Sequence, residues 1–141
     1  KFEKKGIKRK IKILNKLDFK EKKEHLNLYK KIDLALDTFP YNGVTTTFEA
    51  LWMNVPVLVL KGFNFNSRCG ESINKNINMD NLIAKDDHDY INIAISLLKE
   101  PNLNEMYGKK LREKALLSTL FNTDQFTRDF EELITEVYNK N

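Results

Sequence analysis

The residues able to do chemistry concentrate in one run, Leu36-Asp37-Thr38-Phe39-Pro40-Tyr41-Asn42-Gly43-Val44-Thr45-Thr46-Thr47-Phe48-Glu49-Ala50-Leu51-Trp52. An apolar stretch, Asp33-Leu34-Ala35-Leu36, reads as a short buried strand that ends in a Pro/Asn/Gly turn. The turn opens directly into a helix whose start holds three threonines and then a carboxylate. In an open α/β sheet, ligands bind in the crevice beyond the carboxyl ends of the strands. The unpaired N–H groups and positive dipole end of a helix favour a phosphate there. The pattern therefore predicts half of a nucleotide-diphosphate site, with Asn42, Gly43, Val44, Thr45 and Thr46 around the anion. Gly43 would permit a positive φ or a close backbone approach. Thr46 and Glu49 also fit a capping box, Thr at the cap and Glu three residues on, which is compatible with anion binding. Asp37, at the strand end, reads as a brace for the turn.

The elements that must position these residues alternate in type. Ile7 to Leu14 alternates apolar and basic residues, as an edge strand would. Lys20 to Lys31 reads as a charged helix with Leu26, Leu28, Tyr29 and Ile32 on its inner side. Thr46 to Asn54 has Phe48, Leu51, Trp52 and Val55 at helical spacing, which predicts Trp52 in the core. Pro56 to Leu60 is a continuous apolar run of the kind a parallel sheet buries on both faces. A helix at Ser67 to Asn76 and a brief strand at Leu82 to Ala84 follow. Helices at Asp87 to Lys99, Leu103 to Ser118 and Thr123 to Asn139 close the chain, with Asp86-Asp87 as a start signal and Pro101 as a separator. Strands alternating with helices predict an α/β fold, a three-layer Rossmann-like parallel sheet with C-terminal helices. About four strands are expected where a full dinucleotide-type fold has about six.

Composition narrows the function classes. The 141 residues carry a net charge of +4, with 41% hydrophobic and 31% charged residues, ordinary for a globular domain. Residues 1–31 hold 13 Lys/Arg against 4 Asp/Glu. Those lysines alternate with Ile7, Ile11 and Ile13 rather than with stacking aromatics, so no nucleic-acid partner is expected. No apolar run has the length of a membrane span, and a cytoplasmic setting without membrane association is expected. The single cysteine, Cys69, reads as a packing residue, and no His/Cys/carboxylate set has metal-ligand spacing, so neither metal nor cofactor is expected.

The stretch LDTFPYNGVTTTFEALWMNVPVLVLKG, followed by FNSRCGESI, closely resembles the carboxy-terminal part of the O-linked N-acetylglucosamine transferases, the TPR-linked glycosyltransferases of family 41. Looser similarity continues through Asn81 to Ala84, Asp89-Tyr90 and Leu120 to Asn122. The resemblance implies a GT-B architecture, two Rossmann-like halves with the active site between them. This chain would be an incomplete C-terminal half, one partial domain over residues 1–141, without the TPR array or the first half. It implies a UDP-sugar donor, such as UDP-N-acetylglucosamine, and a protein Ser/Thr hydroxyl as acceptor. Thr45 and Thr46 match the pair that holds the diphosphate, and Glu49 matches an aspartate on the ribose hydroxyls. His25 and Lys22 match residues near the uridine. Arg68 is either an aid to positioning the sugar or the partner half, or a member of a structural ion pair. Val44 departs from the pattern, since the animal enzymes have a histidine there, and Leu28 replaces an arginine. The resemblance places the general base outside this chain. The alternatives are a nucleotide-binding module without transfer activity and, more remotely, a GT-B sugar-nucleotide epimerase. A free sheet edge at Ile7 to Leu14 would also allow a dimer.

Overall fold

The computed structural model describes residues 12, 14, 21–107 and 110–140, apart from the side chains of Lys22 and Asn104. The expected edge strand at Ile7 to Leu14 lies outside the described residues, Lys12 and Leu14 excepted.

The sheet grows from the one run apolar enough to be buried on both faces. β2 (Val57–Leu60) is buried at all four positions. It lies between β1 (Ala35–Leu36) and β3 (Ile83–Ala84) in the order β1-β2-β3, with both pairings parallel. Ala35 pairs with Val57 and Leu36 with Leu58, while Val59 pairs with Ile83 and Leu60 with Ala84. The flanking bonds Ala35 N–H to Pro56 O and Asp37 N–H to Leu58 O, both 2.9 Å, carry the first pairing to the strand end. β1 is shorter than the expected Asp33 to Asp37, and three strands form the sheet among the described residues.

Helices cover this sheet. α1 (Lys22–Leu28) runs into a 3-10 turn at Tyr29–Lys31 and brings Tyr29 into a cluster with Ala50, Val55, Val57 and Val59. Ile32, expected on the inner side, is exposed, because the chain has left the helix by that point. α2 (Thr45–Trp52) and α3 (Cys69–Asn76) contribute Leu51, Ile73 and Ile77 to a second, larger cluster. α4 (Asp87–Lys99), α5 (Leu103–Tyr107) and α6 (Leu111–Leu117) complete it with Leu97, Leu103, Tyr107, Leu111 and Ala115. Each full burial of such a side chain stabilises by roughly 1.5–3 kcal/mol. A typical hydrogen bond of a turn contributes about 1 kcal/mol. The core therefore fixes where the strands end, and the turns follow.

Asp86 caps α4 by accepting from Asp89 N–H at 2.8 Å, as its sequence signal predicts. The single helix expected from Leu103 to Ser118 is instead two, α5 and α6, and Gly108, a weak helix former, lies in the sequence between them. α7 (Thr123–Asn139) is the amphipathic helix expected, and its Phe126, Phe130, Leu133 and Val137 remain exposed. Trp52 departs from its expected core position. It is 37% exposed at the seam of α2 and α6, with the Arg112 guanidinium 3.9 Å from its ring centroid. The indole packs against Phe121, ring centroids 6.2 Å apart, and carries the Arg112 cation over its ring.

Candidate functional site

A cavity of about 480 Å³ opens at the carboxyl end of β1, against the first turn of α2. Its floor is Asp37. The Oδ1 of that carboxylate accepts from Gly43 N–H at 2.8 Å and Thr38 N–H at 2.9 Å, which closes the turn into a loop. Tyr90 ties the strand end from α4 through a hydroxyl donated to Asp37 O at 2.8 Å. Burial pushes the Asp37 carboxyl above its ordinary range, against the lowering effect of the two N–H donors. The second oxygen, Oδ2, is buried without a hydrogen-bond partner. Burial, and then the nearby Asp37, push the Tyr90 phenol up to about 12.

The turn itself is pinned to its neighbours. Asn42 is buried, and its side chain points inward, donating to Thr38 O at 3.4 Å and accepting from Gly70 N–H at 3.2 Å. Its own N–H donates to Asn66 O at 3.0 Å. Gly43 is needed for space rather than for a left-handed φ, because a Cβ there would collide with Thr46 Oγ1. The helix then starts at Thr45 with Val44 at the N-cap and no side-chain cap. An α-helix leaves its first N–H groups without intrahelical acceptors. Here those groups, with the exposed Thr45 and Thr46, border the cavity.

The expected capping box does not form. Thr46 lies inside the helix rather than at its cap, so Glu49 is too far along to reach back. Thr47 turns its hydroxyl to Gly43 O at 2.8 Å instead. Glu49 faces α1, where its Oε2 lies 3.1 Å from His25 Nε2. Tyr29 completes this group. Its ring meets His25 edge-on at 5.7 Å, and its hydroxyl donates to Thr46 O at 3.4 Å. Burial raises the Tyr29 phenol, and the Glu49 carboxylate adds to the effect. Two residues 24 apart in sequence thus meet one helical turn from the cavity. The side chain of Lys22 lies outside the described residues.

Arg68 stands apart from this first cavity. Its Nε donates to Glu71 Oε2 at 2.8 Å, and Lys75 and Lys61 approach the other carboxylate oxygen at 2.9 and 3.4 Å. Glu71 is buried, and these cations, Arg68 foremost, hold its carboxyl at about 2. The ion pair expected as one alternative for Arg68 is present. The cluster borders a second cavity of about 560 Å³, which shares Val44 with the first. Sequence reasoning missed Glu71, although Arg68, Glu71 and Lys75 stand at the i, i+3 and i, i+4 spacings that join charges on one helix face. It also missed Tyr29 as a partner of the site and Tyr90 as a tie, since neither carries a local signal. Cys69 donates its thiol to Phe65 O at 3.2 Å, in keeping with a packing role. Among the described residues no group of three or more His, Cys, Asp or Glu could hold a metal ion, and no helix is long and apolar enough to cross a membrane.

Comparison with known proteins gives a consistent result. The profile of glycosyl transferase family 41 matches residues 1–130. The "Probable UDP-N-acetylglucosamine–peptide N-acetylglucosaminyltransferase SPINDLY" of Hordeum vulgare is 32% identical over 117 residues, covering 83% of this chain and 12% of the relative. The UDP-N-acetylglucosamine–peptide N-acetylglucosaminyltransferase of Caenorhabditis elegans is 28% identical over 119 residues, 84% of this chain and 10% of the relative. Among solved structures, a mutant O-GlcNAc transferase of Thermobaculum terrenum superposes with a TM-score of 0.73 at 32% identity, covering 81% of this chain and 22% of that one. The chain thus spans about one-eighth of the length of the plant relative.

Proposed function

The chain belongs to glycosyl transferase family 41, and on that premise we propose that it supplies the donor-nucleotide face of a UDP-sugar-dependent protein glycosyltransferase. UDP-N-acetylglucosamine is the donor the relatives' names support. The observation that carries the reading is the cavity at the end of β1, bordered by a helix N-terminus that no side chain caps. The diphosphate sits there, with N–H groups of Val44 to Thr46 and the hydroxyls of Thr45 and Thr46 as donors. These groups are ordered before the reaction, so they stabilise charge on the departing diphosphate without reorganising. The uridine and ribose extend toward Lys22, His25 and Glu49.

In the intact enzyme the acceptor Ser/Thr oxygen attacks the anomeric carbon from the face opposite UDP. The new C–O bond forms as the bond to the β-phosphate oxygen breaks, UDP leaves with the electron pair, and the configuration inverts. The hydroxyl proton passes to a base that we assign outside residues 1–141. The chain is then the incomplete second half of a GT-B catalytic unit, working in the cytoplasm. A second reading, a nucleotide-binding module without transfer, is favoured by Val44, whose exposed aliphatic side chain offers the leaving group neither a proton nor a charge.

Calorimetric titration of the chain with UDP and with uridine tests the diphosphate assignment. UDP is expected to bind saturably, and uridine at the same concentration to give no measurable heat. Equal binding of the two would overturn the phosphate role of α2. Sugar transfer to a serine peptide by the longer polypeptide that contains this chain separates the transferase from the binding module.

A further inference from the structure

We propose that the second cavity, bounded by Val44, Phe48, Phe65, Ile73, Arg68 and Lys75, is an acceptor subsite that takes an acidic side chain beside an apolar one on the polypeptide to be modified. The proposal rests on the donor reading above, because it is continuity with that cavity that gives the second one its role. Val44 lines both. A polypeptide whose hydroxyl reaches the reactive end of a donor bound over α2 therefore has the second cavity within reach of its flanking residues.

The cavity wall is chemically mixed. Phe48, Phe65 and Ile73 are its apolar residues, and Phe65 is 84% exposed, with Phe63 at 82% on the same loop. Arg68 and Lys75 add cationic groups to the same lining. Lys61, Arg68 and Lys75 share one carboxylate, that of Glu71, and Asp37 behind Gly70 supplies at most one more negative charge. The rim is thus net positive. Among the described residues Arg68 is held through Nε alone while the residue stays exposed, so its terminal N–H groups keep the fork that a carboxylate accepts bidentately. An ion pair already in place orients that fork before any ligand arrives.

The test uses the isotopically labelled 141-residue chain with UDP present. It is titrated with the peptide Ac-Glu-Phe-Ser-NH2 and with its charge-reversed counterpart Ac-Lys-Phe-Ser-NH2. The acidic peptide is expected to give saturable amide shifts from Phe65 to Lys75 and to bind about tenfold tighter than the lysine peptide, a difference of ~1.4 kcal/mol. Lys75→Gln should weaken the acidic peptide severalfold and leave the lysine peptide as it was. Ser72→Trp, which fills the cavity from an exposed position, should abolish the shifts. Equal binding of the two peptides, or shifts confined to other surfaces, would overturn the proposal. UDP moving Phe65 to Lys75 as strongly as Gly43 to Thr47 would also overturn it, since the cavity would then belong to the donor. Peptide shifts from Phe65 to Lys75 without UDP binding would overturn the donor reading and with it the acceptor role, leaving a peptide site of another kind.

Discussion

Two of the strand-to-turn-to-helix connections, those after β1 and β2, have opposite outcomes. After β2, Asn64 and Ser67 form a reciprocal capping box, with Ser67 N–H donating to Asn64 Oδ1 at 3.0 Å and Asn64 N–H to Ser67 Oγ at 3.2 Å. Gly62 N–H closes on Ser67 O at 2.9 Å, and the following helix sets Arg68 on Glu71. The box closes the 3-10 turn Phe65–Ser67; α3 behind it has no side-chain cap of its own, and its Gly70 N–H is taken by Asn42 Oδ1 at 3.2 Å. After β1, Asp37 takes two turn N–H groups, but α2 begins with no side-chain cap. The polar groups there face a cavity. A missing side-chain cap therefore does not mark a binding turn, since α3 lacks one too; what sets the turn after β1 apart is that its helix start borders a cavity, whereas Gly70 N–H of α3 is taken by Asn42. Asn42 joins the two by accepting from Gly70 N–H and donating to Asn66 O, so the closed turn serves as scaffold for the open one.

Substitutions at three positions separate the two turns. The largest effect is expected at Glu71. Replacing it with Gln leaves three cations around a buried amide and should lower stability by about 2 kcal/mol, a figure kept modest because the cations are about half exposed. Its carboxyl titrates at about 2 when folded against an ordinary 4.5, so the unfolded chain binds more protons between those values. The stabilisation is therefore complete above about pH 4.5 and is lost as the pH falls toward 2. Urea melts of the wild type and Glu71→Gln across that range should converge at the acid end. Next is Asp37→Ala, which frees the N–H groups of Gly43 and Thr38. It should weaken UDP binding by about tenfold and cost about 1–2 kcal/mol of stability, whereas Asp37→Asn, which keeps an acceptor oxygen, should retain most of both. The smallest effect is at Asn64→Ala. Loss of the closed turn's cap should cost about 1 kcal/mol in thermal melts while UDP affinity stays within twofold. An equal loss of affinity from Asn64→Ala and Asp37→Ala would erase the distinction between the turns.

The fold was legible where burial dictates sequence. The apolar run before Lys61 became the doubly covered β2, and Asp86 and Pro101 marked helix limits that the structure keeps. The alternation of strand and helix likewise predicted the parallel sheet. The candidate site was legible as a segment, because a Pro/Asn/Gly turn before threonines has a local cause. Its partners were less so. Glu49 forms no capping box, since α2 starts at Thr45, one residue before the expected cap, and the carboxylate is drawn across to His25 on α1. Trp52 has the spacing of a core residue, but its contacts with Phe121 and Arg112, 69 and 60 residues on, arise only in the tertiary fold. Tyr90 reaches Asp37 from 53 residues away, a contact only the tertiary fold creates.

Amide shifts of the labelled chain during a UDP titration report directly on whether the open turn after β1 receives a diphosphate. Saturable shifts are expected, centred on Gly43 to Thr47, with His25 following and Asn64 to Ser67 unmoved. A folded chain in which saturating UDP leaves Gly43 to Thr47 in place, or moves the capped turn instead, would contradict a diphosphate site there.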